Sequence, residues 1–215
     1  WPESAAAATE QPQLPRPARA AEMATRGRTV PPMNREQSRR FAIACLAAGV
    51  VVLIDQATKA AALDGLRQDE RIPLLGDLLG LQLAFNPGAI LSLGAGFTGL
   101  LTLLGVGAVV VLIVAAARAR TGWWAVGIGL ILGGAVGNVI DRLFSPPGFG
   151  VGHVTDFLAY GNLFIGNLAD VALGAGVIVL GLNIWIRHRR ARTNTADAGV
   201  AGGPLPAAGS AVSGS

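Results

Sequence analysis

The 215-residue chain is 52% hydrophobic and 14% charged, whereas soluble proteins are about one quarter charged, so the composition is that of a membrane protein. A formal charge of +4 and a pI near 10.5 do not argue for a nucleic-acid partner: basic residues flank the apolar stretches, and no basic-aromatic platform for bases is visible. Cys45 is the single cysteine and His153 and His188 are the only histidines. These counts exclude an internal disulfide and a multi-cysteine metal site, and no metal or other cofactor is expected.

Residues 1–38 are rich in Ala, Pro and Arg without an apolar period, which predicts a disordered tail containing two candidate initiators, Met23 and Met33. Residues 39–190 form the predicted membrane domain, and residues 191–215 a second disordered tail. The first span is expected over residues 41–63, long enough to cross about 30 Å of hydrocarbon, and it carries Asp55, Gln56 and Lys59. Cys45, at its start, is expected to pack between helices rather than to mark a cleavage box. Residues 72–85 mix apolar residues with Pro73 and Gly76, a pattern compatible with short strands at the membrane surface.

The second span, residues 97–117, has no charge and is closed by Arg118 and Arg120. The third, residues 122–140, opens on the interfacial anchors Trp123 and Trp124 and ends at Asp141 and Arg142. The fourth, residues 170–186, is followed by Arg187, His188, Arg189 and Arg190. Arg39 and Arg40, Arg118 and Arg120, and the Arg187 cluster fall on one side of such a bundle, predicting that both termini are cytoplasmic. The loops at 64–96 and 142–169 then face outward.

Ionisable residues within spans cost several kcal/mol to insert, which makes each a functional candidate. Asp55 and Lys59, four apart, can pair along one helix face. Gly133, Gly134 and Gly137 allow a second helix to approach closely, Asn138 suits interhelical hydrogen bonding, and Asp141 beside Arg142 reads as an ion pair at a helix end. Asn167 can cap the fourth span, with Asp170 at the positive end of its dipole. Asp156 lies in an outer loop apolar enough to fold back to the interface.

Two nearby carboxylates in a low dielectric share a proton, so that one can activate water while the other protonates. In the second half of the membrane region such a pair must come from Asp141, Asp156 and Asp170, and the residues alone do not choose among them. Lys59 is the single lysine, and neither Ser92 nor Ser145 has an activating motif beside it, which disfavours a Ser-Lys dyad. A transport path would spread polar groups through the membrane depth, whereas here they crowd one side.

Five blocks in order resemble the lipoprotein signal peptidase family, also called signal peptidase II. They are Ile54-Asp55-Gln56-Ala57-Thr58-Lys59, Phe85-Asn86-Pro87-Gly88-Ala89, the stretch from Gly133 to Arg142, Gly152-His153-Val154-Thr155-Asp156-Phe157, and Asn167-Leu168-Ala169-Asp170. The resemblance implies a four-transmembrane-helix bundle with a small extracytoplasmic β-like surface subdomain. It also implies an aspartyl endopeptidase of the bacterial cell membrane that removes signal peptides from diacylglyceryl-modified prolipoproteins, cleaving before the lipidated cysteine. Its partners would be those prolipoproteins and membrane lipids. By matching blocks the catalytic pair falls on Asp156 and Asp170, with Asp55, Lys59, Asn86, Gly134, Asn138, Asp141, Arg142 and Asn167 binding substrate or organising the site. Two places depart from the family pattern: Ile90 and Leu91 stand where Ala and Phe are usual, and Gly166 stands where Phe is usual.

Overall fold

A computed structural model describes residues 33–88 and 95–201. The candidate initiator Met23, most of both predicted tails, and Ala89, Ile90, Leu91 and Ser92 lie outside the described residues. Among the described residues, four helices are long and apolar enough to cross a membrane. Helix α1 is Arg35–Gly65, and strands β1 (Ile72–Leu75) and β2 (Leu79–Asn86) follow. After a 3-10 turn at Ala95–Phe97 come α2 (Thr98–Ala117), α3 (Gly122–Phe144), β3 (Val154–Tyr160), β4 (Phe164–Gly166) and α4 (Leu168–Ala201).

Helix α3 is the hub, packed against α1, α2 and α4. Its glycines make this possible, because van der Waals packing rather than water exclusion joins helices in lipid. A Cβ on Gly133 would stand 2.6 Å from the Val51 Cβ of α1, and one on Gly134 would stand 2.8 Å from Leu173 Cγ of α4. Any side chain there would force the helices apart. Alanines fill the facing positions: Ala44, Ala116 and Ala125 are fully buried near the α3 N-terminus. Large apolar residues such as Leu46, Leu53, Leu103 and Val111 point outward, as a lipid-facing surface requires. Cys45 is also exposed, so the expectation that it packs between helices does not hold.

The strands form one antiparallel sheet in the order β1-β2-β3-β4. The first hairpin falls where residues 72–85 predicted strands. The second does not: the segment carrying Asp156, expected as a loop, is strand β3. Its run Val-Thr-Asp-Phe-Leu-Ala-Tyr is rich in β-branched and aromatic residues, and that strand signal was present in the sequence. Helix α3 extends one turn beyond the expected end, bringing Asp141 and Arg142 inside it. Helix α4 continues past Arg190 to Ala201 where a tail was expected, although Thr193, Asn194, Thr195, Asp197 and Gly199 are poor helix formers.

Candidate active site

Every candidate residue gathers at the end of the bundle where the sheet meets α1, α3 and α4. Asp55, Lys59, Asp141, Arg142, Asp156 and Asn167 are all buried, with Asp55 fully so. Asp55 and Lys59 pair along α1 at 2.8 Å, as their spacing predicts, but the same ammonium also reaches Asp141 Oδ2 at 2.9 Å. Lys59 is thus a single buried cation between two carboxylates from different helices. Asp141 does not pair with Arg142 as the sequence suggested. Its carboxylate faces Lys59 and accepts the Thr155 N–H at 3.0 Å, fixing β3 to α3, while the Arg142 guanidinium donates to the carbonyls of Pro87 and Gly88. Successive residues on a helix point about 100° apart, which sends neighbours 141 and 142 to different partners.

Asp55 makes a further contact that spacing does not reveal. Its Oδ1 accepts the backbone N–H of Ala169 at 2.9 Å, satisfying a first-turn donor of α4 that would otherwise be orphaned. Gly137 permits this approach, since a Cβ there would lie 2.5 Å from Asp55 Oδ2. Gln56 was absent from the candidate set, yet its amide donates to Asp55 Oδ2, Asp141 Oδ1 and the Gly137 carbonyl at 3.2 to 3.3 Å. A polar side chain inside an apolar span was the signal that could have found it.

Two asparagine amides connect this ionic layer to the remaining carboxylates. Asn138 Oδ1 accepts from Lys59 at 3.1 Å and from Asn167 Nδ2 at 3.2 Å, which turns the Asn138 amino group toward Asp170 Oδ1, 3.0 Å away. Asn167 caps α4: its Oδ1 accepts the Asp170 N–H at 3.0 Å and Asp170 Oδ2 accepts the Asn167 N–H at 3.3 Å, a reciprocal capping box. With its oxygen committed, Asn167 presents its amino group to Asp156 Oδ1 at 2.6 Å. Asn86 donates to the other oxygen, Asp156 Oδ2, at 3.2 Å. Strand register explains this contact: Ala84 pairs with Asp156, which leaves Asn86 diagonal to it on the same face.

Asp156 and Asp170 line one cavity of about 520 Å³ with Asn86, Asn138, Arg142 and Asn167, and its wall continues along α4 through Leu173 and Val177. Burial, reinforced by the charge of Asp170, raises the Asp156 carboxyl from an ordinary 3.8 to about 6. The amides of Asn167 and Asn86 and the charge of Lys59 pull the other way. Gly166 stands against the pair, where a Cβ would come 3.0 Å from Asp170 Oδ2 and 3.5 Å from the Phe164 ring.

Residues 47–186 match the family described as signal peptidase (SPase) II. A lipoprotein signal peptidase of Rhodococcus jostii is 40% identical over 152 residues, covering 71% of this chain and 76% of that protein. One of Leifsonia xyli is 46% identical over 140 residues, covering 65% of this chain and 63% of that protein. A solved bacterial membrane enzyme shares the fold, with a TM-score of 0.59 at 24% identity over 66% of this chain and 87% of that one. The matched segment begins within α1 and ends within α4, enclosing every polar residue of the cavity, and so the chain belongs to the signal peptidase II family.

Proposed function

We propose that the protein is an aspartyl endopeptidase that removes signal peptides from diacylglyceryl-modified prolipoproteins, cleaving before the lipidated cysteine. The observation that carries this reading is the pair Asp156 and Asp170, which face one cavity and are each held by a separate asparagine amide. Asp156, with its raised affinity for a proton, holds the shared proton and donates it to the scissile carbonyl or the departing amine. Asp170 takes the proton from the attacking water. Asn138 and Asn167 position the two carboxylates, while Asp55, Lys59 and Asp141 hold the helices beneath them. Gly134 keeps α3 close enough to α4 for Asn138 to reach Asp170. Arg142 holds the backbone at Pro87 and Gly88, beside Asn86, at the cavity rim.

The catalytic unit is residues 39–190. The arginines beside α1, α2 and α4 argue for cytoplasmic termini in the cell membrane, which puts the cavity at the extracytoplasmic interface. Its apolar wall along α4 suits a substrate that arrives sideways with its acyl chains already in the bilayer. Lipid then anchors the scissile bond at the depth of the carboxylates and supplies binding energy remote from the chemistry.

The test is incubation of the purified enzyme with a diacylated prolipoprotein, read as a mass loss equal to the signal peptide. Asp156→Asn and Asp170→Asn should each remove turnover by a factor of roughly a hundred or more while leaving the fold intact. Near-normal turnover in either variant refutes the dyad. Equal turnover of lipidated and unlipidated substrate refutes the anchoring role of the lipid.

A further inference from the structure

At the opposite end of the bundle, a second cavity of about 370 Å³ opens between the end of α2, the start of α3 and the late turns of α4. Arg118, Arg120 and Arg187 line it, and its floor includes Trp124, Ile128 and Ala119. Orientation in the membrane requires positive charge near this end, but it does not require guanidinium groups from two separate segments to share one hollow over an apolar floor. Among the described residues none of these three guanidinium groups is in an ion pair, and no carboxylate lines the cavity. Glu36, at the start of α1, is instead engaged by Arg39 and Arg40 at 3.6 and 3.2 Å. The wall is itself anchored, because Arg40 donates to the Arg120 carbonyl at 2.6 Å and Thr121 caps α3 by accepting the Trp124 N–H at 3.3 Å.

We infer that this cavity binds the phosphate group of an anionic phospholipid. Guanidinium groups match phosphate oxygens with paired donors, Trp124 suits the headgroup boundary, and the Ile128 and Ala119 surface continues the site toward acyl chains. A free phosphate ion would use the charges but not the floor. Such a lipid would tie α2 and α3 to α4 at the end of the bundle far from the cleavage site, in the manner of basic pockets between membrane helices.

The test is thermal unfolding of the purified protein in detergent, where membrane orientation plays no part, with added phosphatidylglycerol, phosphatidylcholine or inorganic phosphate. Phosphatidylglycerol should raise the unfolding temperature, and the apparent affinity should fall roughly tenfold or more in Arg118→Gln/Arg187→Gln. Arg39→Gln/Arg192→Gln removes the same charge from the same end outside the cavity and should retain near-normal affinity. Equal weakening in the two double variants, or an equal response to phosphatidylcholine, overturns the inference. A full response to inorganic phosphate at the same concentration overturns the assignment to lipid. Both double variants leave the cleavage site untouched, so their peptidase activity in detergent reports whether the fold has survived.

Discussion

Helices α2 and α3 are neighbours of similar length and opposite character. Helix α2 is the more apolar and carries no ionisable residue, yet only 11% of its most apolar window is buried, against 44% for α3. In water the more hydrophobic helix would be the one inside. In a bilayer the solvent is itself apolar, so hydrophobicity marks the helix that touches lipid, while the interior falls to glycine and to hydrogen-bonding residues. Helix α3 supplies Gly133, Gly134, Gly137, Asn138, Asp141 and Arg142, and α2 supplies none of the groups that meet at the carboxylate cavity.

The sharpest way to break this contrast is to remove the cation that α3 shares with α1. Lys59→Met leaves Asp55 and Asp141 buried without their ammonium and should cost about 3–5 kcal/mol of stability, read by unfolding in detergent. A loss below 1 kcal/mol would mean that the ammonium does not tie the two helices together. Next in size is a pair of glycine substitutions. Gly133→Leu in α3 must displace Val51 and Ala48 and should cost about 1–3 kcal/mol, whereas Gly107→Leu in α2, with nothing within 4 Å, should stay within about 0.5 kcal/mol. Similar losses at the two positions would refute the assignment of α2 to the lipid boundary.

The smallest expected effect is a displacement in pH. Under the proposed chemistry, turnover falls as the shared proton is lost, giving a basic limb near the Asp156 value of about 6. Asn86→Ala removes a hydrogen bond that favours the ionised carboxylate, so the limb should move to higher pH. Movement to lower pH would contradict that role. For stability the sign follows from the raised value. The Asp156 contribution is complete below its unfolded value, near 3.8, and is lost as pH rises through about 6.

The four spans were legible because a bilayer demands long apolar runs, and the Asp55–Lys59 pair because four residues make about one helical turn. The glycines of α3 were legible as close-approach positions because only small residues let helix backbones meet. The partners of Asp141 were not legible. A neighbouring arginine in sequence is a poor guide to a partner in space, and Lys59 lies on a helix separated from α3 by another span. Nor could pattern alone separate Asp141 from Asp156, because their difference is one of company. One faces a buried ammonium, and the other faces amides and a second carboxylate. The second hairpin was missed because its three-residue β4 is too short to show alternation, although β3 carried a strand composition.

The hydrogen bond from Ala169 to Asp55 spans 114 positions of the chain. At translation rates of about 5–20 residues per second, Asp55 is therefore made roughly 6–23 s before its partner on α4. During that interval the Asp55 carboxylate has Lys59 on its own helix as a temporary companion, one turn away. Under the proposed function, the carboxylate pair is thus complete only once the start of α4 has been made. Under the proposed chemistry, a chain released before residue 167 would carry Asp156 but lack Asn167 and Asp170, and so would not cleave.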